Sequence, residues 1–112
     1  MKTVEFKTWL SNSYRTANNG KLSERPQSDA ISRCRRVENA EGDLDISFEH
    51  NRLDELLNRL QYTRKDEELG ADPRHNIIID GNVYNGTASL RNAIKLYQKF
   101  CIATHKRVED VK

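Results

Sequence analysis

The sequence is poor in aromatic residues and has no apolar run long enough to cross a membrane. Only 7% of its 112 residues are aromatic, with a single tryptophan, so aliphatic side chains must supply most of the core. The N-terminal segment 1–6 lacks the apolar stretch of a secretory signal. We therefore expect one domain, residues 1–112, that is located in the cytoplasm and does not enter a membrane.

Cysteine and histidine are scarce and do not cluster along the chain. There is no C-x-x-C pair and no Cys/His spacing suited to zinc, so no metal site is expected. Cys34 and Cys101 stand at helical spacing from apolar neighbours, which predicts reduced thiols in the core. The three histidines, His50, His75 and His105, are expected on the surface.

The motifs of common catalytic and nucleotide-binding sites are also missing. The sequence contains neither a G-x-x-x-x-G-K-[ST] loop nor a G-x-G-x-x-G turn. The carboxylate pairs Asp43/Asp45 and Glu67/Glu68 are better explained as helix caps and solvated surface than as an acid–base pair. We therefore expect no catalytic residues, no cofactor and no enzymatic activity.

Apolar residues recur at helical spacing in four segments of the chain. These segments cover approximately residues 3–15, 28–40, 48–62 and 87–105. The pattern predicts an all-α domain, a small bundle of four main helices.

Three further segments do not follow this helical pattern. Residues 77–84 place β-branched side chains around Asp80-Gly81, which predicts either a short β-hairpin or an extended buried loop. Residues 63–76 are strongly polar and are predicted to be flexible. The charged tail 106–112 is predicted to fray.

Positive charge is concentrated on two of the predicted helices, although the net charge is only +2. Residues 33–36 include three arginines, and cations recur every four residues on the last helix. Arginine can hold phosphate oxygens in a bidentate fork, which makes these side chains candidates for contacts with DNA phosphates. The alternative is a solvated helix face, with the arginines paired to acids such as Asp29 and Glu38. The candidate DNA-binding residues are Arg33, Arg35, Arg36, Arg91, Lys95 and Lys99.

Two stretches carry a resemblance to known DNA-associated modules. They read SDAISRCRRVENAEGDLD and NGTASLRNAIKLYQKF. Together they resemble the N-terminal helical module of restriction-type and HNH endonucleases, and are loosely similar to the SAM-like core-binding domain of tyrosine recombinases. The resemblance implies a DNA-binding or accessory role, with five of the cations as contacts: Arg33, Arg35, Arg36, Arg91 and Lys95.

The chain departs from these families because neither a recombinase catalytic domain nor a nuclease motif follows the helices. We therefore expect either a stand-alone, non-catalytic DNA-binding or accessory module of phage or mobile-element type, or a fragment of a longer protein. The alternative is a protein-interaction module that binds or regulates a host enzyme. A homodimer formed through residues 63–76 or through the edge of the hairpin is a further interpretation.

Overall fold

A computed structural model describes the backbone of residues 1–111 and the side chains of residues 1–104. This part of the chain contains helices and no β-strand, which confirms the predicted all-α class. The helices are α1 (Thr3–Asn12), α2 (Glu24–Glu41), α3 (Leu44–Asn51), α4 (Asp54–Arg59), α5 (Arg64–Glu68) and α6 (Val83–Val111).

Helices α2 and α6 pack along each other and form the centre of the bundle. Small residues on the facing sides allow a close approach, and the Cys34 thiol lies 3.4 Å from the backbone oxygen of Ala93. The core around this pair is aliphatic, as the composition predicts, and burial of each large aliphatic side chain stabilises the fold by about 1.5–3 kcal/mol. Its fully buried members include Leu10, Val37, Leu44, Leu53, Leu60 and Ile94.

Helix α1 covers one end of this pair with aromatic side chains. Phe6 is fully buried, and its ring meets the Tyr97 ring edge-on with centroids 5.0 Å apart. The predicted helix over residues 3–15 is present but ends at Asn12. The chain then leaves the helix through backbone hydrogen bonds to the oxygen of Trp9.

Helix α2 begins at Glu24, four residues before the predicted start. Pro26 lies in its first turn, where the missing N–H costs no hydrogen bond. Gln27 is buried and holds this turn, since its amide donates to the backbone oxygen of Leu22 and accepts from the Ser11 hydroxyl. Gly42, at φ 104°, ends the helix.

The prediction of one continuous helix over residues 48–62 was wrong. The backbone turns at Arg52 and Leu53, whose φ angles are 58° and 69°, and thereby separates α3 from α4. Asp43 caps α3 by accepting hydrogen bonds from two backbone N–H groups in its first turn. The break lets Leu44, before it, and Leu53, within it, both reach full burial.

The hairpin predicted near residues 77–84 is not present. Residues 76–80 form an irregular segment without strand pairing, in agreement with the alternative of an extended buried loop. Side chains alternate along it, with Ile77 buried and Ile78 83% exposed. Ile77 and Ile79 pack on the helical core, so the segment needs no partner strand and offers no hairpin edge to a second copy.

Helix α6 begins at Val83, earlier than predicted, because the local sequence provides a cap. The side-chain oxygen of Asn82 accepts a hydrogen bond of 2.8 Å from the Asn85 N–H. Gly86 in this first part of the helix is in close contact with Ile79: a Cβ atom on Gly86 would lie 2.4 Å from Ile79 Cγ2. The extended segment can therefore pack against α6 only because residue 86 has no side chain.

A polar cluster joins the start of the chain to three helices. The ammonium group of Met1 lies 2.9 Å from the Glu38 carboxylate and 3.2 Å from that of Asp45. The Tyr97 hydroxyl donates to Asp45 at 2.6 Å and accepts from the Lys2 N–H at 2.8 Å. These bonds satisfy polar groups at the edge of an otherwise apolar core.

Residues 63–76 contain more ordered structure than the polar composition indicates. They include α5, which is capped reciprocally by Thr63 and Asp66, and the buried side chain of His75. The flexibility of this stretch stays a prediction. The fraying of residues 106–112 also stays a prediction. Helix α6 continues to Val111, but the side chains of these residues, and the whole of Lys112, lie outside the part of the chain that the structure describes. None of the described helices combines the length and hydropathy needed to cross a membrane.

Candidate functional site

A cleft of about 440 Å³ lies between α6 and the connection from α4 to α5. Three of its lining side chains are cations, and none is a carboxylate. The lining itself therefore carries positive charge and no negative charge. The lining residues are Leu57, Gln61, Tyr62, Thr63, Arg64, Tyr84, Arg91 and Lys95.

The α6 wall of this cationic cleft carries Arg91 and Lys95. Arg91 is half-buried, and its Nη1 donates to the backbone oxygen of Leu60 at 3.3 Å. This bond uses one of the five N–H groups of the guanidinium and fixes its position at the end of α4. Lys95 follows one helical turn later on the same side of α6 and is exposed. One cation is thus anchored, and its neighbour is free to adjust.

The opposite wall is the start of α5, where Thr63 and Arg64 lie. Thr63 and Asp66 form a capping box: the Thr63 side chain accepts from the Asp66 N–H, and the Asp66 carboxylate accepts from the Thr63 N–H. The bond that the Asp66 carboxylate accepts from the Thr63 N–H, followed by its interaction with the Thr63 side chain, lowers the pKa of Asp66. The cap holds the turn that presents Arg64 towards α6.

The guanidinium carbon of Arg64 lies 4.9 Å from the centroid of the Tyr84 ring. This is a cation–π contact, in which the positive charge faces the electron-rich face of the ring. Arg64 is exposed, whereas Tyr84 is half-buried in the cleft wall. Tyr84 therefore presents a flat ring face beside three cations.

Tyr62 also lines the cleft, but its side chain serves to hold the fold together. It is buried, and its hydroxyl donates to the backbone oxygen of Ala71 at 2.6 Å. This bond closes the loop after α5 onto the end of α4. Tyr84 is thus the tyrosine of this cleft whose ring can meet a ligand.

The three arginines of α2 lie elsewhere. Arg33 lines a separate groove together with Asp29 and Asn92, so a carboxylate accompanies its charge. The Nη2 of Arg36 donates to the backbone oxygen of Ile78 at 2.7 Å and holds the extended segment against α2. Arg35 is exposed and, two positions after Arg33, projects about 200° around the helix from it.

Lys99 extends the cationic side of α6 beyond the cleft. It follows Lys95 by one turn and is exposed, with its Nζ 6.0 Å from the centroid of the Tyr14 ring. The structure therefore brings Arg91, Lys95 and Lys99 together as one stripe on α6. It does not bring Arg33, Arg35 and Arg36 into the same cleft.

Sequence reasoning missed Arg64 as a member of the site. It lies in the polar stretch 63–76, which the composition assigned to a loop. The available signal was Thr63 followed three residues later by Asp66, a helix-start pattern that places Arg64 at the first helical position. The second signal was Tyr84, an aromatic side chain next to the start of the last helix.

Two of the three histidines lie among the side chains that the structure describes. His50 is exposed, and His105 lies outside the described side chains. The prediction of a surface position was wrong for His75, which is buried and hydrogen-bonded on both ring nitrogens. Over residues 1–104, no group of three or more His, Cys, Asp and Glu residues could hold a metal ion.

Cys34 and Cys101 are both buried and free, which confirms their prediction as reduced core thiols. Burial raises the pKa of each thiol to about 12, because the charged thiolate is disfavoured away from water. Both side chains act as small apolar residues.

No family model matches the chain, and no curated protein or solved structure gives a match to it.

Proposed function

We propose that this chain is a non-catalytic DNA-binding module whose contacts are made to phosphates by the cationic cleft and the stripe on α6. The observation that carries the proposal is the convergence of Arg64, Arg91 and Lys95 in one cleft without a carboxylate. Like charges held this close repel one another, and a bound anion relieves the repulsion. Lys99 continues the line of positive charge along α6.

The geometry suits phosphate better than a single carboxylate. Arg91 keeps most of its N–H groups for a ligand after bonding Leu60, and Arg64 and Lys95 approach from either side. A phosphodiester offers two charged oxygens, and successive phosphates recur along the strand at a spacing that several cations can follow. Contacts of this kind give affinity and orientation with little sequence preference.

The α2 arginines belong to the proposal as an outer set. Arg33 borders α6 beside Asn92, so a strand lying along α6 would pass near it. Arg35 projects to another side, and Arg36 is engaged with the extended segment. We expect the double change Arg35→Ala and Arg36→Ala to weaken binding less than a change in the cleft.

The test is binding of fluorescently labelled DNA, both duplex and single-stranded, measured by anisotropy over a series of salt concentrations. Lys95→Gln removes one charge and no hydrogen bond that holds the fold. It should weaken binding and reduce the slope of log K against log salt by about 0.9 for duplex, or about 0.7 for a single strand. The matched control is Lys7→Gln, an exposed cation on α1, which should leave affinity and slope unchanged.

Absence of binding to either DNA form at low salt would overturn the proposal. An equal effect of the Lys7 and Lys95 changes would show that only the overall charge matters and that the cleft is not the site. Arg91→Gln is informative only alongside a stability measurement, because Arg91 also bonds the end of α4.

An accessory role beside an endonuclease or recombinase, in a phage or mobile element, rests on the sequence resemblance and stays part of the proposal. The second candidate function is a protein-interaction module. The observation that favours it is the exposure of Ile78, 83% accessible beside the shallow groove of Arg36 and Asn39. Replacement of Ile78 by Ser should then abolish self-association or partner binding, as sedimentation velocity would show, without change in DNA affinity.

A further inference from the structure

We infer that the cationic cleft receives a single-stranded stretch of nucleic acid, with one base stacked on Tyr84 and the adjoining phosphate held by Arg91 and Lys95. The inference rests on the proposed function and specifies its ligand. It draws on the combination of a flat ring with three cations in one concave site.

A cleft and a DNA duplex are poorly matched in shape. Duplex bases are stacked in the interior of the helix, so a ring in the wall of a cleft cannot reach their faces without disrupting the helix. A single strand, in contrast, can turn out a base and expose its faces for stacking on an aromatic side chain. The volume of about 440 Å³ is in the range of sites that hold a small ligand, and therefore suits one nucleotide unit.

Arg64 marks the place that a base would take. Its guanidinium is planar and lies over the Tyr84 ring, 4.9 Å from the centroid. An exposed cation–π contact of this kind contributes about 2- to 5-fold to an equilibrium, whereas stacking of a base on an aromatic residue contributes about 5- to 150-fold. A base can therefore displace the guanidinium from the ring with a net gain.

The displaced guanidinium stays useful in the bound state. Arg64 is exposed at the start of α5, so its long side chain can turn towards the phosphate that follows the stacked base. Arg91 is held at the opposite wall by Leu60, and Lys95 is one turn further along α6. The phosphate would then lie between cations from two helices, with the base on Tyr84.

Tyr84 also separates a nucleic acid from an acidic peptide. Glutamate side chains could meet the three cations equally well, but they carry no π-face to place on the ring. Removal of the ring should therefore weaken binding of a nucleic acid and leave binding of an acidic peptide unchanged.

The experiment compares three labelled probes of equal length, about 12 nucleotides: a thymidine strand, a duplex, and a strand whose sugars lack bases. The phosphates are common to all single strands, so the probe without bases measures the electrostatic part alone. We expect the thymidine strand to bind most tightly and the strand without bases to bind about 5- to 150-fold more weakly. This arm uses the unmodified protein and needs no variant to fold.

Two variants of Tyr84 test whether its ring is the surface on which the base stacks. Tyr84→Leu keeps an apolar side chain but loses the ring, and should reduce affinity for the thymidine strand about 5- to 150-fold, a larger loss than for the duplex. Tyr84→Phe keeps the ring and should bind within about 2-fold of the unmodified protein. Circular dichroism and thermal melting of both variants verify that the fold is retained.

The outcomes separate this inference from the proposed function. Equal binding of the strands with and without bases, or no effect of Tyr84→Leu, would overturn base stacking while DNA binding through phosphates stands. Absence of binding to all three probes, with binding of a polyglutamate peptide instead, would overturn both.

Discussion

The imidazole of His75 and the hydroxyl of Thr87 form a buried hydrogen bond that joins the segment before α6 to the helix itself. His75 Nε2 lies 2.9 Å from Thr87 Oγ1, and His75 Nδ1 accepts from the Ile77 N–H at 3.1 Å. Because Nδ1 accepts, the ring proton of the neutral form is on Nε2 and is donated to Thr87. A second proton on Nδ1 would face the Ile77 N–H and break this bond.

This arrangement makes the free energy of unfolding depend on pH. Burial lowers the pKa of His75 below its ordinary value, although the charge of Glu41 opposes the shift. In the unfolded chain the histidine titrates near about 6.5 and binds more protons than in the fold, so stability increases with pH in this range. The contribution of His75 should be complete above about pH 7.5 and lost progressively as the pH falls below about 6.5 towards the lower pKa of the folded protein.

The measurement is urea unfolding at several pH values, with the histidines changed one at a time. His75→Asn should lower stability by about 1–3 kcal/mol at neutral pH and flatten the dependence between about pH 7.5 and 5.5. His50→Gln, at an exposed position, should leave the dependence as it is. The same slope in the unmodified protein and in His75→Asn would contradict the assignment.

Gly86→Ala should destabilise the protein, although alanine normally favours a helix over glycine by about 1 kcal/mol. The added Cβ would lie 2.4 Å from Ile79 Cγ2, and the resulting strain is expected to outweigh the helix preference and cost about 1–3 kcal/mol. A double-mutant cycle with Ile79→Ala measures the clash by denaturant unfolding, because the second change removes the opposing methyl group. A more stable Gly86→Ala variant would show that Ile79 does not pack here.

Arg52→Gly should stabilise the protein. Arg52 has φ 58°, a left-handed conformation that costs a residue with a Cβ about 1–2 kcal/mol. Part of this gain is offset by the greater freedom of glycine in the unfolded chain and by loss of the contact with the Phe48 ring, so we expect a net gain of no more than about 1 kcal/mol.

The control for this change is Lys7→Gly, an exposed substitution within α1, which should destabilise by about 1 kcal/mol. Both variants are compared by denaturant unfolding. Destabilisation by both would indicate that α3 and α4 are one continuous helix.

The buried thiols should react slowly with a thiol-specific reagent in the native protein. The pKa of Cys34 and of Cys101 is raised to about 12, so almost no thiolate is present near neutral pH, and both residues are buried. Colour development with Ellman's reagent should be slow in buffer and rapid in concentrated urea, with two thiols titrated. Rapid reaction of one thiol in buffer would contradict its burial.

Helix positions could be predicted where the local sequence contains both apolar residues at helical spacing and the residues that begin or end a helix. The stripe of Phe6, Leu10 and their neighbours predicts α1, and Gly42 marks the end of α2 correctly. The break at Arg52 and Leu53 could not be predicted, because neither residue favours a positive φ and Leu53 continues the apolar period. Only the gain from burying Leu44 and Leu53 together decides that turn.

The candidate site could likewise be predicted only in part. The cations of α6 follow from their spacing of four, so Arg91, Lys95 and Lys99 could be placed on one side of a helix in advance. Arg64 could not be added to them, since its approach to Tyr84 depends on how α5 returns to α6. The α2 arginines illustrate the converse: three cations within four positions project in different directions around a helix.

What the sequence alone determined is the all-α class, the core faces of the main helices and the burial of both thiols, because these follow from local period and composition. What the tertiary structure decided is the extended segment packed on Gly86, the hydrogen bond between His75 and Thr87, and the cleft between α5 and α6. Each of these features depends on how one element of the fold packs against another. Their formation depends on which surfaces are buried together, a balance that no single segment contains.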